Sequence, residues 1–273
     1  MSEVFFEIKN ANVWRGEVLA LRDLSLCLRT GESVAILGAN GAGKSSLLKL
    51  MTGELRAEAR PGSTCQLFGE EQWNLEELRH RIGLVMPEEV TRFQAHEVAE
   101  DVVRSAFRGA YGRTGDMRFK KAEKELARHA MEETGVGNLA KRFFGQLSSG
   151  EKRRFLIARA LIHQPEVLVL DEPSTALDFA ARLAMLDRLR VIAQGAGTLV
   201  LVTHDPGEIM PEIERVILLK NGSIVADGPK RMILKSEPLS DIYGMDLKLK
   251  WLEGWPLVRH ARRAQKSGLN IPL

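Results

Sequence analysis

The stretch Gly38-Ala39-Asn40-Gly41-Ala42-Gly43-Lys44-Ser45 has the pattern G-x-x-x-x-G-K-S, which is typical of phosphate-binding loops. An apolar run at residues 33–37 precedes it and predicts a buried strand, and residues 45–51 predict a helix. In this context the glycines allow successive backbone N–H groups and the helix N-terminus to face one anion. We therefore expect Lys44 to reach the β- and γ-phosphates and the Ser45 hydroxyl to bind Mg²⁺. A glycine-rich turn without a ligand is the alternative, and the flanking strand and helix count against it.

The composition is that of an ordinary globular protein. The chain has 273 residues, of which 44% are hydrophobic and 27% are charged. Its formal net charge of +3 is too small to indicate nucleic-acid binding, and we interpret two basic clusters, residues 118–124 and 259–266, as solvated surface. The cysteines, Cys27 and Cys65, have no metal-binding spacing. No signal peptide is expected, and no apolar run approaches the roughly 20 residues that span a bilayer.

The order of the predicted elements indicates an α/β fold. Alternating residues at 5–9 and 24–28 predict half-buried antiparallel strands. Asn221-Gly222 predicts a tight hairpin between strands at 216–219 and 223–226. Further buried strands are predicted at residues 82–85, 167–170 and 198–202, and helices at residues 75–80, 96–110, 120–133, 152–162 and 179–194. We expect residues 1–86 and 165–229 to form the α/β core, residues 87–164 an all-helical insertion, and residues 230–273 a C-terminal extension whose last four residues fray.

Four further positions carry side chains suited to nucleotide chemistry. Trp14, expected in a loop, suits either stacking on a purine or anchoring two strands, and the composition does not decide between them. Asp171 and Glu172 follow a buried strand, at the edge where open α/β sheets bind ligands; Asp171 suits Mg²⁺ and Glu172 suits activation of a water molecule. His204 follows the next strand and suits a hydrogen bond to a γ-phosphate. Acidic turns and surface histidines are common, so these interpretations depend on the phosphate loop.

A second small-residue loop, Leu147-Ser148-Ser149-Gly150-Glu151, precedes a predicted helix. Ser148 and Ser149 are good N-cap residues, and an exposed helix N-terminus attracts phosphate. A capped helix with no ligand is the alternative interpretation.

Taken in order, residues 38–45, 147–151, 169–173, 174–178 and His204 resemble the motifs of the ATP-binding cassette (ABC) ATPases, over about residues 5–228. The resemblance implies a P-loop NTPase with a RecA-like core, an antiparallel β subdomain and an inserted all-helical subdomain. It also implies a head-to-tail homodimer with two ATP molecules sandwiched between subunits. Ser148 and Gly150 then contact the γ-phosphate bound by the partner, Trp14 stacks on adenine, Asp178 couples the two sites, and His204 senses the γ-phosphate.

The combined expectations for the site are as follows. The catalytic residues are Glu172, His204 and Lys44, and the metal ligands are Ser45 and Asp171. ATP-binding residues are Trp14, Gly38, Asn40, Gly41, Ala42, Gly43, Lys44, Ser45, Ser46, Ser148, Gly150 and Asp178.

Two departures from the family pattern stand out. The signature loop has Ser149 and Glu151 where the consensus has Gly and Gln; a serine keeps the loop small. After the strand at residues 82–85, most members carry a Gln that senses Mg²⁺ and links the helical lobe to the transporter. Pro87 occupies that position here, so the role is vacant or taken by a neighbour such as Glu88. The layout around residues 79–90 and 239–244 is similar to molybdate- or iron-type importer ATPases.

We therefore expect an ATP-hydrolysing subunit of an ABC transporter, of the importer type. Its cofactors are ATP and Mg²⁺, and its partners are a second copy, a polytopic membrane permease and a solute-binding protein, with no nucleic acid. This places it in the cytoplasm, peripheral to the inner face of the plasma membrane. The alternatives are a soluble ABC ATPase of repair, translation or transcription, and a regulatory ATP-binding module with little turnover, which the presence of Glu172 and His204 opposes.

Overall fold

The computed structural model describes residues 3–113, 115–195 and 197–261. Its helices are α1 (Lys44–Met51), α2 (Leu75–Arg81), α3 (Ala99–Arg104), α4 (Lys121–Glu133), α5 (Ser149–Leu161), α6 (Phe179–Gln194), α7 (Lys230–Ile233) and α8 (Ser236–Tyr243). Its strands are β1 (Val4–Arg15), β2 (Val18–Arg29), β3 (Val34–Leu37), β4 (Thr64–Leu67), β5 (Ile82–Val85), β6 (Val167–Asp171), β7 (Thr198–Thr203), β8 (Arg215–Lys220), β9 (Ser223–Pro229), β10 (Leu247–Leu252) and β11 (Trp255–His260).

The central element is a six-stranded sheet in the order β5-β6-β7-β3-β8-β9. All neighbouring pairs are parallel except β8 and β9, which form an antiparallel hairpin. Asn221 (φ 49°) and Gly222 (φ 81°) both take left-handed torsions in the turn, as the Asn-Gly sequence predicts. The α/β fold class and its parallel sheet are confirmed.

The two faces of this sheet bury different layers. Alternate residues of each strand point to opposite faces. Val34 and Ile36 pack with the antiparallel sheet and α1, whereas Ala35 and Leu37 pack with the helical insertion and the extension. A strand covered on both sides reads as a continuous apolar run, which is why the short core strands are visible in the sequence.

The antiparallel sheet has the order β2-β1-β4. Its first two strands are 12 residues each, longer than the alternating runs predicted, because register shifts let irregular segments remain paired. The longer β1 includes Trp14, so the expectation that Trp14 lies in a loop is wrong. The pattern of residues does not predict β4, a four-residue edge strand without full burial.

Between residues 87 and 164, the described part of the chain contains helices and turns and no named strand. The helix expected over residues 96–110 is shorter, because it changes from α3 to a 3-10 turn at Ser105–Arg108. Of the extension expected over residues 230–273, the part up to residue 261 folds as α7, α8 and the β10–β11 hairpin. The terminal residues expected to fray, and much of the basic cluster at 259–266, lie outside the described residues. No helix in the described ranges is long and apolar enough to cross a membrane.

Candidate active site

The phosphate-loop stretch connects β3 to α1 and packs closely against β8. Its backbone takes left-handed torsions at Gly41 (φ 79°) and Gly43 (φ 104°), which glycine adopts without strain. A Cβ atom on Gly38 would lie 2.5 Å from a backbone oxygen of β8. The backbone oxygen of Ala42 accepts a hydrogen bond from the N–H of Gly222 at 2.8 Å. The loop is therefore fixed by the hairpin beside it. Gly41 and Gly43 are required by their positive φ angles, and Gly38 is required because a side chain has no room there.

The ammonium group of Lys44 lies inside this loop. The residue is only 7% exposed, and its Nζ donates to the backbone oxygens of Gly38 at 2.9 Å and Ala39 at 3.2 Å. The same nitrogen is 3.6 Å from Oε1 of Glu172. A buried cation is thus held beside the loop and next to the carboxylate that the sequence analysis selected.

A cleft of about 1190 Å³ opens over the loop. It contains seven of the residues expected in the site: Asn40, Gly41, Gly43, Lys44, Ser45, Ser46 and Glu172. Three further cations line it, namely Arg15 and Arg22 from the first hairpin and Lys220 from β8. Cations facing an open cleft suit a polyphosphate. These three are not among the residues expected from the sequence, because nothing in their local sequence shows that the two hairpins meet.

Trp14 lies beside this cleft but is not among the residues that line it. Its side chain is half-exposed, and its indole N–H donates to Oε2 of Glu58 at 3.1 Å. This hydrogen bond is the main cause of a lowered pKa at the Glu58 carboxyl. The ring is therefore held by its nitrogen, and its contact with a purine remains a prediction.

Asp171 is the last residue of β6 and is 8% exposed. Burial raises the pKa of its carboxyl to about 6, and the negative charges of Glu172 and Glu88 act in the same direction. The positive charges of Lys44 and Arg153 oppose the shift. Asp171 is thus a buried carboxylate among like charges, an environment that a bound cation would relieve.

Glu172 follows directly, with a left-handed torsion (φ 45°) and a backbone N–H bonded to the oxygen of Val202 at 2.8 Å. Its Oε1 is 2.9 Å from Nδ1 of His204, within ion-pair distance but outside the angles of a good hydrogen bond. The Thr175 hydroxyl donates to Oε2 at 3.1 Å. Burial raises the pKa of Glu172, but the contact with His204 and the charge of Lys44 outweigh it and hold that pKa below its usual value.

The signature loop caps α5 and lies next to the start of α6. The Ser148 hydroxyl accepts from the N–H of Glu151 at 3.3 Å, and the Glu151 carboxylate accepts from the Ser148 N–H at 2.8 Å. In this capping box the Glu151 carboxylate accepts the N–H of the N-cap residue, a role for which a carboxylate is well suited. A Cβ atom on Gly150 would be 3.3 Å from Cβ of Ala181, whose N–H is capped by Asp178 at 2.8 Å. None of Ser148, Gly150 and Asp178 lines the cleft over Lys44.

Pro87 begins a short 3-10 helix, Pro87–Arg92, immediately after β5. Glu89 points inward from it: its carboxylate accepts from the Met86 N–H at 3.2 Å, and burial raises its pKa. Glu88 is exposed, and its charge acts on Asp171. Glu88, which directly follows Pro87, therefore acts electrostatically on Asp171, the predicted metal ligand.

Arg153 of α5 faces the same region from the helical insertion. It is 6% exposed, and among the described residues its Nε and Nη1 have no hydrogen-bond partner. Burial lowers the pKa of this guanidinium, and the charges of Asp171, Glu89 and Glu208 oppose the shift. Arg153 is not among the residues expected in the site, since nothing in its local sequence shows that it is buried among carboxylates.

Comparisons with known proteins agree with this geometry. The family model described as ABC transporter matches residues 21–175. The hemin import ATP-binding protein HmuV of Vibrio parahaemolyticus is 35% identical over 255 residues, covering 89% of this chain and 92% of that protein. An uncharacterized ABC transporter ATP-binding protein of Lactococcus lactis, YmeB, is 35% identical over 243 residues, covering 86% of this chain and 91% of that protein.

The fold is also similar to that of a solved structure, cbiO1 from Clostridium perfringens, part of the ABC transporter complex cbiONQ. The TM-score is 0.72 at 24% identity, with 88% of this chain and 94% of that chain covered. The phosphate loop, the carboxylates after β6 and the family match are thus consistent with one another. The chain belongs to the ABC transporter family, as one of its ATP-binding, ATP-hydrolysing proteins.

Proposed function

We propose that this chain is the ATP-hydrolysing subunit of an ABC importer and works as a head-to-tail homodimer on the cytoplasmic face of a membrane permease. The observation that carries the proposal is the meeting of Lys44, Glu172 and His204. The Glu172 carboxylate is 3.6 Å from the Lys44 ammonium and 2.9 Å from the His204 ring. Lys44 begins α1, whereas Glu172 and His204 directly follow β6 and β7. Together they provide a phosphate contact, a base and a γ-phosphate sensor.

The residues present fit a magnesium ion. Ser45 offers a hydroxyl and Asp171 a carboxylate, and Mg²⁺ prefers oxygen ligands of this kind. The raised pKa of Asp171, caused by burial and by the charges of Glu172 and Glu88, supports a site where a cation is needed. When bound with ATP, the ion neutralises charge on the β- and γ-phosphates. In this proposal Ser45 and Asp171 hold it.

The chain's own residues supply the remaining steps. Lys44 binds the β- and γ-phosphates in exchange for its contacts with loop oxygens. Glu172 orients a water molecule against the γ-phosphate and takes its proton, because its carboxylate is ionised and faces the cleft. His204 donates a hydrogen bond to the γ-phosphate and holds Glu172 in place. Lys44 and His204 thereby stabilise the negative charge on the phosphoryl group while it is transferred.

The signature loop supports a site completed by a second copy. Ser148 is exposed at the N-terminus of α5 and lies outside its own cleft. Phe179, next to Asp178, is 79% exposed, and Leu183, one turn further along α6, is 47% exposed. Two exposed apolar side chains on one face of a helix favour a protein contact. We infer that Ser148 and Gly150 meet the γ-phosphate bound by the partner, and that Asp178 lies between the two sites.

Glu172→Gln tests the hydrolysis and the dimer together. We expect the variant to bind ATP, to hydrolyse little of it and to accumulate as an ATP-bound dimer, measured by light scattering after gel filtration. Glu133→Gln, the same change at an exposed position of α4, is the control and should behave as wild type. A Glu172→Gln protein that stays monomeric in ATP would contradict the sandwich dimer.

Lys44→Ala tests the phosphate contact. Loss of the buried ammonium should lower the affinity for ATP by at least ten-fold, since charge-assisted contacts are worth roughly 1.5–3 kcal/mol. Titration with a fluorescent ATP analogue measures this affinity. Unchanged binding would count against the assignment of the phosphate loop.

The import direction is supported by the name of a relative, and a membrane partner is supported by a second cleft. The relative from Vibrio is named as a hemin import protein. A second cleft of about 870 Å³ lies between α2, β5 and the helical insertion, lined by Arg79, Arg92, Phe107 and Tyr111 among others. The glutamates Glu54, Glu76 and Glu89 also line it, so the cleft is apolar with charges of both signs. We infer that it receives a cytoplasmic helix of the permease.

The competing function is a soluble ABC ATPase without a membrane partner. Pro87 favours it, because proline cannot supply the side chain that usually links hydrolysis to the transporter. Affinity purification from detergent-solubilised membranes distinguishes the two. Co-purification of a polytopic protein, lost when the second cleft is blocked by Tyr111→Arg, would support the transporter subunit. A soluble dimer that retains no membrane protein would favour the rival.

A further inference from the structure

The segment that follows His204 is held by its own side chains. The Thr203 hydroxyl accepts from the Asp205 N–H at 2.9 Å, and the Asp205 carboxylate accepts from the Gly207 N–H at 2.8 Å. Buried Glu208 accepts hydrogen bonds from the hydroxyls of Ser174 and Thr203. The backbone around His204 is therefore ordered on the side facing the sheet.

The C-terminal extension holds the other side of this segment. The Lys230 ammonium donates to the oxygens of Met210 at 2.9 Å and Pro211 at 3.1 Å. The phenol of Tyr243, the last residue of α8, donates to the backbone oxygen of His204 at 2.6 Å. The extension thus reaches the peptide that carries the expected γ-phosphate sensor.

The Tyr243 hydroxyl is well suited to fix that peptide. Burial raises the pKa of the phenol, so the hydroxyl stays protonated and remains a donor. A hydrogen bond to the carbonyl of His204 restrains the peptide plane that follows it, and so restrains the backbone from which the His204 side chain projects. That side chain ends 2.9 Å from Glu172. Tyr243, His204 and Glu172 therefore form a continuous series from the extension to the proposed base.

Helix α8 is itself anchored at several points. The Lys220 ammonium, which lines the nucleotide cleft, is bonded to the Asp241 carboxylate at 2.7 Å. The hydroxyls of Ser240 and Ser236 accept from backbone N–H groups of β10 at 2.9 and 3.0 Å. Tyr243 is thus presented by a helix tied both to β8 and to the C-terminal hairpin.

We propose that Tyr243 is a positioning residue for ATP hydrolysis, through which the C-terminal extension sets the orientation of His204 against Glu172. The proposal rests on the proposed function of His204 and Glu172. It gives the extension a role in setting the catalytic rate. Tyr243 does not touch the nucleotide cleft, so its effect is on turnover and not on ATP affinity.

Tyr243→Phe removes the hydroxyl and keeps the ring. We expect kcat for ATP hydrolysis to fall about five-fold, the equivalent of one net hydrogen bond, with the KM for ATP unchanged. Glu237→Gln, a change at an exposed position of the same helix, is the control and should keep the wild-type kcat. A Tyr243→Phe variant with wild-type kcat would overturn the proposal.

A double-mutant cycle separates positioning from general destabilisation. In a His204→Ala background, measured by single-turnover release of phosphate, Tyr243→Phe should have no further effect, because the side chain it orients is gone. An equal loss in both backgrounds would overturn the proposal.

The ring ¹H–¹⁵N signals of His204 give a readout independent of activity. They can be assigned among the six histidines by their loss in His204→Ala. Tyr243→Phe should shift them and Glu237→Gln should not; unshifted signals in Tyr243→Phe would overturn the proposal. A wild-type protein unable to hydrolyse ATP would overturn the proposed function and this inference with it. Normal wild-type hydrolysis unaffected by Tyr243→Phe would overturn this inference alone.

Discussion

Replacing Asp171 by Asn should make the free protein more stable while it removes magnesium-dependent hydrolysis. Burial together with the charges of Glu172 and Glu88 raises the pKa of Asp171 to about 6. The folded state therefore binds this proton more tightly than the unfolded state, where the pKa is about 3.9. Folding stability therefore falls as the pH rises from about 4 to about 6. Above the folded pKa the full cost of ionising the buried carboxyl is present.

The magnitude follows from the shift. A difference of about 2 pKa units corresponds to about 3 kcal/mol above pH 7, and to about half of that at pH 5. An asparagine of the same shape carries no charge and avoids the penalty. Asp171→Asn should therefore raise the Tm at pH 7.5 by roughly 6–12 °C, at about 2–4 °C per kcal/mol for a chain of this size, and by about half as much at pH 5.

Differential scanning calorimetry in EDTA, without nucleotide, measures this effect at both pH values. Asp187→Asn, the same change at an exposed position of α6, controls for the change in net charge and should leave the Tm unaltered. A variant that is no more stable than wild type, or that is stabilised equally at both pH values, would refute the reasoning that burial among like charges destabilises the ionised carboxylate of Asp171. A phosphate-release assay checks the loss of hydrolysis.

Three further outcomes are expected. Gly38→Ala should destabilise the fold by about 1–3 kcal/mol in urea titration, because its Cβ would lie 2.5 Å from the Leu219 oxygen, whereas Gly197→Ala, with open space around it, should be neutral. Burial raises the pKa of the Cys65 thiol to about 11, so alkylation at pH 8 should be about a hundred-fold slower in the folded than in the unfolded protein, as mass spectrometry would measure; equal rates would contradict the burial. Trp14→Ala should weaken the binding of fluorescent ATP about ten-fold if the ring stacks on adenine, whereas Trp14→Phe should retain most of the affinity. Unchanged binding in Trp14→Ala would show that the indole does not stack on adenine and only contacts Glu58.

The sequence by itself determined the elements whose signals are local. The phosphate loop, the buried strands 82–85 and 167–170, and the Asn221-Gly222 hairpin are each specified by neighbouring residues, through torsion, burial on both faces or turn chemistry. The candidate residues Lys44 and Glu172 were found in the same way, because each lies in a short motif next to a predicted strand. Elements with partial burial, such as β4 and the outer half of β1, gave no comparable signal, and Trp14 was placed in a loop for that reason.

Only the tertiary structure decided which distant residues meet. Arg15, Arg22 and Lys220 join Lys44 in one cleft because the two hairpins lie side by side. The Tyr243 hydroxyl reaches the carbonyl of His204 across 39 positions of sequence. Such contacts depend on how the layers stack and on the register of the strands, neither of which is written in the spacing of residues along the chain. A local motif therefore identifies the chemistry of a site, and the packing of its surroundings determines which further residues act on it.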